Sequence, residues 1–138
     1  MIREAVLKDY EFIARKTEEL RQGTFWDTIP YDFTADDIAK FMLNKVTQYG
    51  WVIFVDDDES ECLENIRGFI GGNLELQQLP PYLLYVKEWT WWGEDNKSKT
   101  KLFVELESWA KRRGAVLSCY TKQNLQGQPE ETLCWRKL

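Results

Sequence analysis

Tyr82-Leu83-Leu84-Tyr85-Val86-Lys87-Glu88-Trp89-Thr90-Trp91-Trp92 is a run of aromatic and aliphatic side chains of strand length, stopped by Gly93 and followed by the polar turn Glu94-Asp95-Asn96-Lys97-Ser98-Lys99-Thr100-Lys101. Such residues fit a pleated, half-buried surface, and the glycine breaks the run. Strict alternation along it predicts Val86, Glu88, Thr90 and Trp92 on one face, with Lys87, Trp89 and Trp91 on the other. From about Lys97 the apolar period becomes helical. Leu102, Phe103, Leu106, Trp109 and Ala110 make one face, and Gly114 stands where a helix commonly ends in a left-handed residue. A long strand therefore feeds a helix through a short polar turn.

Upstream, Trp51-Val52-Ile53-Phe54-Val55 is a continuous apolar run, and Ile66 to Leu76 is a second strand-like segment; an acidic turn between them predicts an antiparallel pair. Two helical patterns precede these. Phe12, Ile13, Thr17 and Leu20 recur at helical spacing behind a capping Asp9 and run to Gly23, and Thr34-Ala35-Asp36-Asp37 opens a second helix that Gly50 ends. Ile2 to Val6 reads as a first strand. Downstream, Ala115 to Tyr120 reads as a strand, Thr121 to Glu131 as a polar, turn-rich stretch, and Thr132 to Leu138 as a last strand. The expected fold class is α/β (α+β): a mixed, mostly antiparallel sheet flanked by helices, in the order β-α-α-β-β-β-α-β-β, as a single domain over residues 1–138.

Composition narrows the chemistry. With 43% hydrophobic residues, seven tryptophans and 138 residues, the chain carries enough apolar surface to build a core. The sequence contains no histidine, and its three cysteines, Cys62, Cys119 and Cys134, lack metal-binding spacing, which excludes a Cys/His zinc site and any histidine-dependent dyad or triad. No metal is expected. Cys119, in an apolar strand, reads as an inert buried thiol. A net charge of −5 argues against broad nucleic-acid binding, which needs clustered cations facing phosphates. Lys97, Lys99 and Lys101 nevertheless cluster in one turn, enough for a local anion site. No leader or membrane-spanning run is visible, so the expectation is a cytoplasmic protein.

The element order, the strand Ile66-Arg67-Gly68-Phe69-Ile70-Gly71-Gly72 and the helix Leu102 to Ala115 resemble the GNAT superfamily of N-acetyltransferases. Met1-Ile2-Arg3-Glu4-Ala5 resembles the first strand of many members. Glu88-Trp89-Thr90-Trp91-Trp92 is similar to the Glu-x-x-Trp-Trp strand of a GNAT group frequent in bacteriophages. The resemblance implies acetyl transfer from acetyl-CoA to an amine, with the splayed end of the fourth strand holding the pantetheine arm and a Gly-rich helix entrance holding the pyrophosphate. It places Trp91, Trp92, Gly93, Lys97, Ser98, Lys99, Thr100 and Lys101 as cofactor-binding candidates. The family pattern Arg/Gln-x-x-Gly-x-Gly/Ala is altered here: both loop glycines are missing, and Glu94 and Asp95 add charge that repels phosphate. The plain alternative is that Asp95 or Asn96 caps the helix and the lysines are a solvated face.

Amide formation needs a base for the ammonium proton and a proton donor for the leaving thiolate. Glu88 is the base candidate by resemblance, its alternative being an ion pair with a strand neighbour such as Arg67. Tyr120 is the donor candidate by position alone, since the family motif Asn-x-x-Ala-x-x-x-Tyr-x-x-x-Gly-Phe is absent; its alternative is packing at a strand end. Trp26 and Tyr31, in the loop between the first two helices, are candidates for the acceptor pocket. The leading functional expectation is an N-acyltransferase acting on a small-molecule or protein amine. The alternative is a catalytically degenerate, GNAT-like binding or virion-associated phage protein without cofactor, with a homodimer or a phage or host protein as partner.

Overall fold

The computed structural model describes residues 1–22, 34–58 and 66–138. Elements follow one another as β1 (Ile2–Glu4), a 3-10 turn (Leu7–Asp9), α1 (Tyr10–Arg21), α2 (Ala35–Lys45), β2 (Trp51–Asp57), β3 (Ile66–Leu76), β4 (Leu84–Gly93), α3 (Asn96–Lys111), β5 (Leu117–Gln123) and β6 (Pro129–Lys137). Among the described residues, six strands form one sheet in chain order. Every neighbouring pair is antiparallel except β4 and β5, which are parallel and therefore require the crossover that α3 provides. This is the mixed, mostly antiparallel α+β arrangement anticipated from the sequence.

Each face of the sheet carries its own core. On one, α3 lays Leu102, Leu106, Trp109 and Ala110 against Val52, Phe54, Ile70 and Val86. On the other, Tyr10, Ile13 and Ala14 of α1 and Ile38 and Met42 of α2 pack on Ile53, Val55 and Phe69. Thr34 caps α2, accepting from the Asp37 N–H while the Asp37 carboxylate accepts from the Thr34 N–H. Gly114 takes a φ of +93° after α3, and the Ala115 N–H returns to the Ala110 carbonyl, which closes the helix as anticipated. Among the described residues, no helix is long and apolar enough to cross a membrane.

Three local readings are corrected by the structure. Asp9 begins α1 without a side-chain cap; its carboxylate accepts instead from the Val6 N–H and from both terminal nitrogens of the Arg3 guanidinium. The alternation along β4 breaks at Trp89, which has no partner on β3 because Glu88 faces Gly72 while Thr90 faces Gly71. One extra residue turns the following side chains over. Hence Val86 packs under α3 whereas Trp92 packs with the α1 and α2 core, and Trp91 joins the α3 side. Lastly, Thr121 to Gln123 extend β5 rather than start a turn, and β6 begins at Pro129. Their polarity reflects a strand edge that has left β4.

One buried contact ties the bulge to α1: the Thr17 and Thr90 hydroxyls lie 2.9 Å apart, both side chains buried. Thr17→Val leaves the Thr90 hydroxyl without its partner and is expected to cost about 1–3 kcal/mol in urea unfolding. The double replacement Thr17→Val/Thr90→Val should recover most of that loss. A double mutant no better than the single one would show that the contact is not what orders the bulge.

Candidate active site

The parallel ladder between β4 and β5 spans only Tyr85–Lys87 against Leu117–Cys119. Beyond it β4 stays with β3, and β5 stays with β6, so a wedge opens between the two central strands. Glu88 is the first β4 residue past the last paired position. It is only 5% exposed, in a cavity of about 60 Å³ lined by Thr17, Leu20 and Arg21 of α1, Thr90 and Trp91 of β4, and Thr121 and Gln123 of β5.

Burial pushes the Glu88 carboxyl up to about 8. Arg21, the Thr121 backbone N–H, Lys99 and Lys87 all favour the ionised form, yet together they do not outweigh desolvation. Arg21 is itself pulled below its usual range by burial, with Glu88 acting in the opposite sense. The site thus contains a carboxyl that holds its proton near neutral pH and releases it a little above, which is the range a general base needs. Arg67, the alternative partner weighed for Glu88, lies elsewhere: its guanidinium is 3.9 Å from Asp56.

At its wide end the wedge is bridged by side chains. The Gln123 amide donates to the Trp91 carbonyl at 2.8 Å, and its oxygen accepts from the Lys99 ammonium. That ammonium also lies 5.1 Å from the centroid of the Trp91 ring, while the Trp91 indole N–H donates to the Lys99 carbonyl at 3.2 Å. Burial draws the Lys99 ammonium below its usual range, against the pull of Glu88.

The helix entrance is likewise occupied by the chain's own groups. Asp95 caps α3, its carboxylate accepting from the Ser98 N–H at 2.7 Å. Ser98 is buried, and its hydroxyl donates to Asp56 at 2.7 Å, so it serves to join α3 to β2. A Cβ on Gly93 would stand 2.4 Å from Lys99 Cγ and 3.0 Å from the Lys99 nitrogen, so the close approach of strand end to first helical turn requires glycine. Lys97, Thr100 and Lys101 are exposed beside this entrance.

The remaining candidates separate. Trp92 packs against Phe12 and Phe69 on the α1 side, with Lys16 over its ring at 4.7 Å, and is not among the residues lining the Glu88 cavity. Tyr120 lies edge-on to Phe103 and Trp91, at centroid distances of 5.0 and 6.3 Å, and does not line the cavity around Glu88. Burial pushes the Cys119 thiol up. Trp26 and Tyr31 lie outside the described residues. Sequence reasoning missed Arg21, Thr121 and Gln123. A signal existed for Arg21, because Thr17, Leu20 and Arg21 continue the inward stripe of Tyr10, Ile13 and Ala14, so a cation falls on a buried face.

No protein-family profile and no curated protein matches the chain. Solved structures do. A GNAT family acetyltransferase from Staphylococcus aureus superposes with a TM-score of 0.62 at 14% identity, over 100% of this chain and 97% of that one. A ribosomal-protein-alanine N-acetyltransferase from Brucella melitensis gives 0.64 at 13% identity, covering 89% and 74%. A transcriptional regulator from Bacillus halodurans gives 0.66 at 14% identity, covering 91% and 83%. At these identities the likeness establishes the fold, which is that of the GNAT acetyltransferases.

Proposed function

We propose that the chain is an acetyl-CoA-dependent N-acetyltransferase with Glu88 as its base. The observation that carries this reading is the coincidence of a buried carboxyl, titrating near 8, with the point where the two central strands part. Acetyl-CoA supplies an acetyl thioester, whose carbonyl an amine attacks. Glu88, directly or through water, takes the proton the ammonium must lose, and Arg21 stabilises the carboxylate as it ionises. The Trp91 carbonyl already accepts an amide N–H, from Gln123, and so suits the amide-bearing pantetheine arm. Lys97 and Lys101, exposed at the α3 entrance, supply charge for the phosphates, offset by the Asp95 carboxylate. The C–N bond forms as the thioester C–S bond breaks, and the departing thiolate takes its proton from solvent; Tyr120, whose ring packs on Phe103 and Trp91, is not among the residues lining the Glu88 cavity.

A second reading keeps the fold and discards the chemistry: a binding protein that has lost its cofactor. The occupied helix entrance favours it, and one of the solved structures of similar fold is that of a transcriptional regulator. Calorimetric titration with acetyl-CoA, followed by thiol-release assays on small amines and lysine peptides, separates the two. Submillimolar binding and turnover that rises toward pH 8 support the transferase. Absence of binding at millimolar acetyl-CoA removes it in favour of the binding protein.

A further inference from the structure

We infer that Gln123 is a built-in latch on the cofactor cleft, competing with the pantetheine arm for the Trp91 carbonyl and holding the Lys99 ammonium away from the phosphates. This rests on the transferase reading. Three observations carry it. First, Gln123 belongs to β5, so its contact with the Trp91 carbonyl of β4 spans the part of the wedge that the parallel ladder leaves open. A primary amide placed there presents the same N–H donor as a secondary amide of the arm and fills the wedge side of that carbonyl, the side from which the arm would have to approach.

Second, the same side chain's oxygen accepts from Lys99, whose ammonium rests over the Trp91 ring in the first turn of α3. Lys99 is therefore half-buried and engaged, unlike its exposed neighbours Lys97 and Lys101. Releasing Gln123 frees the one cation of the turn that is folded into the wedge. Third, the space left around Glu88 with Gln123 in place is about 60 Å³, enough for a water or two and far below the volume of ligand sites. Withdrawal of a side chain that lines it would enlarge this space for an acyl group. Among the described lining residues, Gln123 bridges the strands through its side chain, so a rotamer change opens the wedge without breaking the strand ladder.

A closed resting state lowers apparent affinity by the fraction of molecules that are open. Removing two hydrogen bonds, one of them to an ammonium, is expected to tighten acetyl-CoA binding by roughly tenfold. The test is calorimetric titration of acetyl-CoA into the wild type, Gln123→Ala and Gln123→Ser, with melting curves showing that both variants fold. In the wild type, the Gln123 side-chain amide is followed by nitrogen-15 NMR through the same titration. The latch predicts tighter binding by both variants, and a wild-type Gln123 amide that moves to a solvent-like shift as cofactor saturates. Wild-type binding that the variants leave unchanged or weaken, or a Gln123 amide that does not move at saturation, overturns the latch and leaves the transferase standing. Absence of binding by all three proteins overturns both.

Discussion

Glu88→Gln is expected to reduce acetyl transfer by roughly two to four orders of magnitude, the usual contribution of a positioned base, while making the folded protein more stable in mild alkali. The two effects have one cause. The folded chain keeps the Glu88 proton up to about pH 8, whereas a solvated glutamate releases it near 4.5. Between those values the folded state binds more protons than the unfolded state, so raising the pH through this window weakens folding, and the penalty levels off above it. Glutamine has nearly the same shape and no proton to lose. The variant should therefore match the wild type near pH 5 and exceed it at about pH 9 by on the order of a few kcal/mol. A residue kept as the partner of an ion pair with Arg21 would behave in the opposite way, with stability falling on replacement. Activity in the wild type should rise with pH along a limb centred near 8, and the variant's residual rate should lack that limb.

The second large effect is structural. Gly71→Val is expected to lower the free energy of unfolding by about 3 kcal/mol, because overpacking of a dense core forces its neighbours off their positions. A Cβ at Gly71 would stand 2.6 Å from Cε2 and Cζ2 of Trp89. Phe41 of α2 and Trp51 of β2 lie against that indole at centroid distances of 5.8 and 6.4 Å, so moving it disturbs both contacts. Because Trp89 is the bulged residue between Glu88 and Thr90, displacing it also disturbs the aim of Glu88. Equilibrium urea unfolding measures the loss, and residual activity should fall by more than the folded fraction alone accounts for. A destabilisation well under 1 kcal/mol would mean that the indole can move and that the glycine is incidental.

Much of the fold was legible because periodicity reports burial. The helical stripes of α1 and α3, the apolar run of β2 and the change of period after Gly93 each correspond to an element facing one of the two cores. What failed were readings that assume an uninterrupted repeat or a strand paired on both sides. Nothing in Trp89-Thr90 announces that both side chains turn toward α1, because a bulge is set by the partner strand, here by the room left at Gly71. Likewise Thr121-Lys122-Gln123 is too polar to read as strand, since one of its edges faces the wedge instead of β4.

The site was legible in part. Glu88 was reached through the resemblance of its strand to that of the GNAT group, and the helix cap as the alternative offered for Asp95 or Asn96, of which the structure uses Asp95. Ser98 did not betray its bond to Asp56, a residue far away in sequence, and Gln123 gave no local sign that it would reach the Trp91 carbonyl. Long-range polar contacts of this kind depend on topology rather than on neighbouring residues.

The claim on which the functional account turns is that Glu88 is protonated at neutral pH where β4 and β5 diverge. Carbon-13 NMR of the side-chain carboxyl carbons, with the Glu88 signal assigned by its loss in Glu88→Gln, reads this directly across a pH titration. A midpoint near 8 is the predicted result; a midpoint in the ordinary glutamate range, near 4.5, would contradict it.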